Sequence, residues 1–401
     1  MKTILLVCDG MGDYPIEQLG GRTPLEVAKT PNMDQLARLG KVGLARTIPP
    51  GFTPASDVGN LSILGYDPKV YYSGRAPLEA ANMGIELKAG DVAFRCNLVT
   101  ADGEKLVDYS AGHIRSEEAA TLIRAVAKEL SSSTLTFYPG VQYRHLVIFR
   151  DGSADELLKT ACRPPHDMMG LKIADNWPKG PAAARLKQLM EASRPLLTNH
   201  EINQVRIDLK ENPGNMIWLW GQGTSLNLPT FQERWKLTGS VISAVDLVKG
   251  AGRLAGLEVL EVPGATGYYD TNYVGKAEYA LKSLKKHDFV FVHVEAADEA
   301  GHNGDLRQKI TAIENFDKHV VGTIAQNFKG LKETRILLIP DHLTSTEKRT
   351  HVPEPVPFLI CGKGITAGST ESFGESQAKA SGWFVENAHE LLPKLLTESS
   401  L

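Results

Sequence analysis

The chain has 401 residues, 42 % of them hydrophobic and 23 % charged, with a net charge of -3. That length exceeds what one small core needs and fits two domains, and the composition is that of an ordinary soluble globular protein. The near-neutral charge argues against a general nucleic-acid or acidic-membrane binder, and no apolar stretch reaches the roughly 18 residues needed to span a bilayer. The chain opens directly on a strand-like run, so no signal peptide is expected. Cys8, Cys96, Cys162 and Cys361 are too widely spaced for a zinc or redox motif and read as reduced, buried thiols of a cytoplasmic protein.

In chain order, residues 4–7 (Ile-Leu-Leu-Val) form a short buried strand that ends at Asp9-Gly10. Thr30-Pro31 marks a turn and a helix start, residues 49–54 are a loop, and Ser56-Asp57 opens an amphipathic segment over 58–64. The pattern changes near Tyr71-Tyr72-Ser73-Gly74. Residues 92–94 and 143–149 read as strands with a helix over 117–130 between them, and Pro164-Pro165 and Pro178-Lys179-Gly180-Pro181 punctuate the end of that stretch. Helical periodicity resumes over 182–197, and 216–220 is another buried strand. Residues 289–292 then lead to Asp298-Glu299-Ala300-Gly301-His302, and residues 336–339 to Asp341-His342, with His351 further on.

Short continuous apolar strands belong to parallel sheets, and open α/β sheets bind ligands at the carboxyl ends of their strands. The candidate metal-ligating carboxylates lie at residue 9 and again from residue 298 onward. If they share a site, the first segment and the last third must share a sheet. This predicts an α/β fold with a mainly parallel sheet flanked by helices and a smaller inserted α+β domain. The core is expected over residues 1–73 and 170–401 and the insert over 74–169.

Asp and His supply the oxygen and nitrogen ligands that zinc, manganese and similar divalent ions take. Six of the eleven histidines fall between His287 and His351. Of these, His302, His342 and His351 accompany the strand-end carboxylates, whereas His287, His293 and His319 read as surface or packing residues. Asp298 and His302 are four apart, on one face of a helix, and with His351 make a three-ligand set. Asp9, Asp341 and His342 make a second set that is short of one ligand. Ser56 is the candidate for that place, at a helix N-terminus where an anion is favoured. Coordination would depress its hydroxyl pKa and make it a nucleophile. In the insert, Arg75, Arg95, Arg144 and Arg163, with Asn97, His113 and His145 interleaved, suit carboxylate or phosphate oxygens. Together these groups suggest a small phosphorylated acid as substrate.

Several runs resemble one family, the cofactor-independent phosphoglycerate mutases of the archaeal-type branch, within the alkaline-phosphatase superfamily. They include Leu5-Leu6-Val7-Cys8-Asp9-Gly10-Met11-Gly12-Asp13, Pro54-Ala55-Ser56-Asp57-Val58-Gly59-Asn60 and Gly74-Arg75-Ala76-Pro77-Leu78-Glu79-Ala80. Phe94-Arg95-Cys96-Asn97-Leu98, Ser110-Ala111-Gly112-His113-Ile114, Val292-His293-Val294-Glu295-Ala296-Ala297-Asp298 and Pro340-Asp341-His342 continue the match. The resemblance implies two divalent ions, manganese foremost with cobalt, magnesium or zinc as alternatives. Asp9, Ser56, Asp341 and His342 match the ligands of one ion, and Asp298, His302 and His351 those of the other. It further implies that Ser56 carries a phosphoserine intermediate, with no need for 2,3-bisphosphoglycerate. Arg75, Arg95, Asn97, His113, Arg144 and Lys276 are its implied substrate contacts.

The reading is therefore an isomerase that interconverts 3-phosphoglycerate and 2-phosphoglycerate in glycolysis and gluconeogenesis. A metal-dependent phosphomonoesterase, or another phosphomutase on the same core, is the rival; there water would accept the phosphoryl group. A non-catalytic metal-binding regulator would tolerate the loss of Ser56 or of a ligand, and no position is missing.

Overall fold

The computed structural model describes residues 1–327 and 333–398. The chain forms two compact units, one made of Met1–Tyr72 with Asn227–Leu401 and the other of Ser73–Leu226.

The first unit is built on strands β1 (Lys2–Cys8) and β2 (Gly40–Ala45), and then on β8 (Gly239–Ile242), β9 (Glu258–Val259), β10 (Phe289–Val294), β11 (Thr334–Leu338), β14 (Val356–Gly362) and β15 (Phe384–Val385). They form one eight-stranded sheet in the order β15-β2-β14-β11-β1-β10-β8-β9. β1 pairs in parallel with β10 and β11, and only β14 runs antiparallel to its neighbours β11 and β2. β10 is buried at every position and β1 at all but Lys2, as expected of strands covered on both faces. Helix Tyr273–Ser283 packs on β10 and helix Asp246–Leu254 on β8. Cys8 lies opposite Val294, and Leu6 opposite both Val292 and Leu338. This register delivers Asp9, Glu295 and Asp341 to one edge of the sheet.

Pro31 begins helix Pro31–Arg38, as anticipated, and Ser56 begins helix Ser56–Ile63. His351 lies in a short strand. β12 (Leu343–Ser345) and β13 (Thr350–Val352) form a small antiparallel hairpin that sets His351 opposite Thr344.

The second unit carries β3 (Val92–Asp102), β4 (Lys105–Asp108), β5 (Leu135–Tyr138), β6 (Arg144–Phe149) and β7 (Met216–Gly223). All its pairings are antiparallel, and β3 meets β4, β6 and β7. The insert therefore does not end at residue 169. Helix Ala183–Thr198 buries Leu186, Met190 and Leu197 in the same cluster as Phe94 and Trp218, and β7 completes the sheet beside β3. The proline-rich turns at 164–165 and 178–181 lie inside this unit rather than at its exit, because the apolar residues after them have their partners here.

Candidate active site

Asp9 follows β1, and the peptide after it turns through Gly10 at φ +60°, where a Cβ would strike Thr344 and Asp298. Gly59, one turn into the Ser56–Ile63 helix, lets that helix lie against the Asp341 backbone, which a Cβ would meet at 2.5 Å. These two glycines allow three chain segments to close on one point. Asp9, Asp341, His342 and Asp298 are all buried there.

On one side, His302 Nε2 and His351 Nε2 each lie 3.3 Å from a different oxygen of Asp298. The two Nε2 atoms are 2.8 Å apart. On the other side, His342 Nε2 stands 3.0 Å from Ser56 Oγ, 3.5 Å from Asp9 and 3.4 Å from Asp341. Asn60 donates to Asp341 Oδ2 at 2.8 Å, and Gly10 and His342 donate their backbone N–H to Asp341 Oδ1. The helix N-cap is Ala55, which makes no side-chain cap, so Ser56 is the first helical residue and its hydroxyl faces His342 instead of capping the helix.

The outward partners of the rings decide what points inward. His302 Nδ1 faces the carbonyl of Arg349 at 3.2 Å, and His351 Nδ1 faces that of Pro54 at 3.3 Å. Carbonyls only accept, so both Nδ1 atoms carry hydrogen, and each ring, once neutral, turns an Nε2 lone pair inward. His342 Nδ1 lies 3.1 Å from Thr344 Oγ1, whose own proton goes to Asp298. Its Nε2 is therefore a lone pair as well. Rings anchored by Nδ1–H with Nε2 free are the usual form of metal-ligating histidines.

The charge balance points the same way. Asp9 Oδ1 and Asn60 Oδ1 are buried acceptors with no hydrogen-bond partner. Burial and the Asp341 and Asp298 carboxylates push Asp9 well above the usual carboxylate range. Burial would raise Asp298 too, yet His351 and His302 hold it well below. Burial opposes protonation of His302, but Asp298 lifts it to about 9, while burial drops His342 to about 4. Without a cation the cluster keeps a proton at His302; a divalent ion would displace that proton and satisfy the orphaned oxygen. Among the described residues, two groups have ligand atoms close enough to hold an ion: Asp298 with His342 and His351, and Asp9 with His293 and Asp341. The donor set fits divalent metal ions.

His293 is a correction to the sequence reading. It is completely buried in β10, 3.4 Å from Asp9 and 3.1 Å from Glu295. A histidine inside an otherwise apolar central strand was the available signal, since a buried imidazole needs partners. Lys276, expected among the substrate contacts, is a second correction. Its ammonium is fully buried behind the cluster, 2.8 Å from Glu295 and 2.9 Å from the His293 carbonyl. Burial raises Glu295, but Lys276 and His293 outweigh it and keep the group a carboxylate.

The other expected contacts lie in the second unit. Alternation along β3 sends Arg95 and Asn97 to one face and Phe94, Cys96 and Leu98 into the core. Arg144 on β6 lies opposite Asn97, and Trp220 on β7 opposite Arg95. The Arg95 guanidinium stacks 4.6 Å from the Trp220 ring centroid and pairs with Glu79 at 3.0 Å, and Arg75 lies 5.6 Å from the same ring. Burial and the nearby Arg75 and Arg144 charges lower Arg95, with Glu79 offsetting them. Three guanidinium groups thus lie close enough to feel one another's charge. His113 is exposed on a left-handed turn at φ +50° beside Tyr143, whose ring also carries Arg144. His145 and Arg163 are not on this face: His145 sits opposite Cys96, and Arg163 bonds Asn176.

Mixed α/β architecture, a strand-end cluster of carboxylates and imidazoles, and a hydroxyl beside it define an α/β protein with a cluster of groups that could hold metal ions. Residues 37–203 match the family profile described as 2,3-bisphosphoglycerate-independent phosphoglycerate mutase. A mutase so named from Methanothrix thermoacetophila is 50% identical over 99% of this chain and 100% of its own, and a probable one from Geobacter sulfurreducens is 47% identical over 99% and 100%. Among solved structures, a Pyrococcus horikoshii protein superposes with a TM-score of 0.84 at 33% identity, covering 100% of this chain and 98% of its own. The cofactor-independent phosphoglycerate mutase from Thermoplasma acidophilum gives 0.66 at 29% identity and full coverage of both chains. The chain belongs to the 2,3-bisphosphoglycerate-independent phosphoglycerate mutase family.

Proposed function

We propose that this chain interconverts 3-phosphoglycerate and 2-phosphoglycerate through a phosphoserine on Ser56, without 2,3-bisphosphoglycerate. The observation that carries the reading is the Ser56 hydroxyl, released from helix capping and held 3.0 Å from His342 at the rim of the cluster. Asp9, Ser56, Asp341 and His342 would hold one divalent ion and Asp298, His302 and His351 another, with manganese the first choice and cobalt, magnesium or zinc the others. Bound there, such ions supply Lewis acidity and lower the pKa of a coordinated hydroxyl.

Ser56 Oγ forms the bond to phosphorus as the ester bond to glycerate breaks, and the serine proton is matched by the one the departing hydroxyl regains. Attack by the other hydroxyl of glycerate reverses the step and frees Ser56. Arg75, Arg95 and Arg144, with Asn97 and His113, are proposed to hold the carboxylate or phosphate of the acid through charge-assisted forks. No helix among the described residues is long and apolar enough to cross a membrane; with reduced cysteines, this supports a cytoplasmic enzyme.

The test is an enolase-coupled mutase assay without 2,3-bisphosphoglycerate, on enzyme stripped of metal and then resupplied with Mn, Co, Mg and Zn in turn. Activity should vanish on chelation and return with a divalent ion. Full activity after verified metal removal would sink the dimetal reading, and mainly phosphate release by unaltered enzyme would favour a phosphomonoesterase.

A further inference from the structure

We propose that His293 Nε2 is a ligand of the divalent ion held by Asp9 and Asp341, backed by Glu295 and Lys276; this rests on the dimetal reading above. His293 lies in a central strand between Val292 and Val294, fully buried, where a residue serving packing alone would be apolar. Each of its ring nitrogens therefore needs a partner.

Nδ1 has one. It faces Glu295 Oε1 at 3.1 Å, and Ser243, which is also near, gives its own proton to the same oxygen at 3.0 Å. Nδ1 therefore bears the hydrogen and donates it. Glu295 is held away from any ion, because Ser243, the Ala244 N–H and His293 engage Oε1 and Lys276 engages Oε2.

Nε2 has none. Its neighbours are Asp9 Oδ2 at 3.4 Å and Asn60 Nδ2 at 3.4 Å. The two hydrogens of Asn60 Nδ2 go to Ser56 O and Asp341 Oδ2, both at 2.8 Å, so none is left for the imidazole. Nε2 thus faces a carboxylate oxygen, an arrangement that a proton or a metal cation between them makes favourable. The unpartnered Asp9 Oδ1 belongs to the same spot, and the ligand atoms of Asp9, His293 and Asp341 lie within 4.8 Å of one another. Carboxylate to Nδ1–H, with Nε2 on the metal, is the arrangement that orients ligating histidines and raises their basicity. His302, His342 and His351 are anchored in the same sense by other acceptors. A borderline divalent ion that accepts imidazole, such as manganese, cobalt or zinc, is the class this set would take.

Full-length enzyme, stripped and titrated with Mn(II), tests this by calorimetry and by pulsed electron paramagnetic resonance on 15N-histidine-labelled protein. Wild type should take up two ions. His293→Asn should weaken one of them about 10- to 100-fold, leave the other unchanged and remove one directly coordinated histidine nitrogen. Thermal melts of the metal-free proteins check folding. Glu295→Gln, which leaves the imidazole in place, should weaken the same ion with no change in the nitrogen count. Unaltered Mn affinities and nitrogen count in folded His293→Asn would overturn the assignment and leave a packing or protonated histidine, with the dimetal reading intact. Failure of wild type to bind any Mn would overturn both.

Discussion

Carboxylates and imidazoles crowd the strand ends of the first unit's parallel sheet, whereas guanidinium groups line the face of the second unit's antiparallel sheet. The first arrangement gathers residues nearly 350 positions apart, because parallel strands all release their loops at the same edge. The second takes alternate residues from adjacent strands, as in Arg95, Asn97 and Arg144. Charge is managed differently too. Asp9 Oδ1 in the cluster lacks a hydrogen-bond partner and calls for a cation, while in the second unit Arg95 pairs with Glu79 and feels the Arg75 and Arg144 charges nearby.

The largest effect should come from the cluster. Ser56→Ala should reduce mutase turnover by roughly 10⁴-fold or more, the scale for loss of a nucleophile, and no phosphoenzyme should appear by mass spectrometry. A variant retaining a tenth of the wild-type rate would mean that another group carries the phosphoryl. Next, His302→Ala or Asp341→Ala should cost about 10- to 100-fold or more in metal affinity and activity, read by calorimetry and the coupled assay. Silence of both would show the ligands to be misassigned.

The arginine face should respond less. Arg75→Ala or Arg95→Ala should cost about 1.5–3 kcal/mol, or one to two orders of magnitude in kcat/KM, while phosphorylation of Ser56 survives. Water then competes for the phosphoenzyme, so the ratio of released phosphate to isomerised product should rise. Wild-type kinetics in both variants would remove this face from substrate binding.

The smallest contrast is in stability against pH. Burial lowers His145 of the second unit to about 3, so below pH 6.5 the unfolded chain binds a proton that the fold refuses, and stability falls towards acid. Burial raises Glu375 of the first unit to about 7, so the fold holds a proton that the unfolded chain gives up above pH 4.5. That contribution is lost as pH climbs through 7. Urea titrations should show Glu375→Gln gaining on wild type between pH 5 and 8, and His145→Gln gaining on it as pH falls from 6.5 to 4. Parallel curves for either variant would contradict the corresponding shift.

The same contrast explains what could be read in advance. Strand-end carboxylates after apolar runs, and the four-residue spacing of Asp298 and His302, are local patterns, and they located the cluster's parts and the parallel sheet. The arginines were visible as residue types, but their shared face depends on the β3 pairings with β6 and β7, which no local pattern specifies. His293 and Lys276 were misread because their roles come from contacts through the core, with Asp9 and Glu295. The insert boundary failed for a similar reason: residues 183–223 join β3 through packing, not through any break in composition.

The position of β1 has a consequence for biosynthesis. It is translated before every other strand of its sheet, yet its hydrogen-bonding partners are β10 and β11, which begin at Phe289 and Thr334. At ribosomal speeds of about 5–20 residues per second, the apolar run Ile4-Leu5-Leu6-Val7 waits roughly 15 to 55 s before Phe289 is even synthesised. Throughout that interval β1 lacks its strand partners, an unpaired and aggregation-prone edge, while residues 73–226 are already complete. Slow, chaperone-sensitive maturation is the expected outcome, and strand swapping between neighbouring nascent copies is its characteristic hazard.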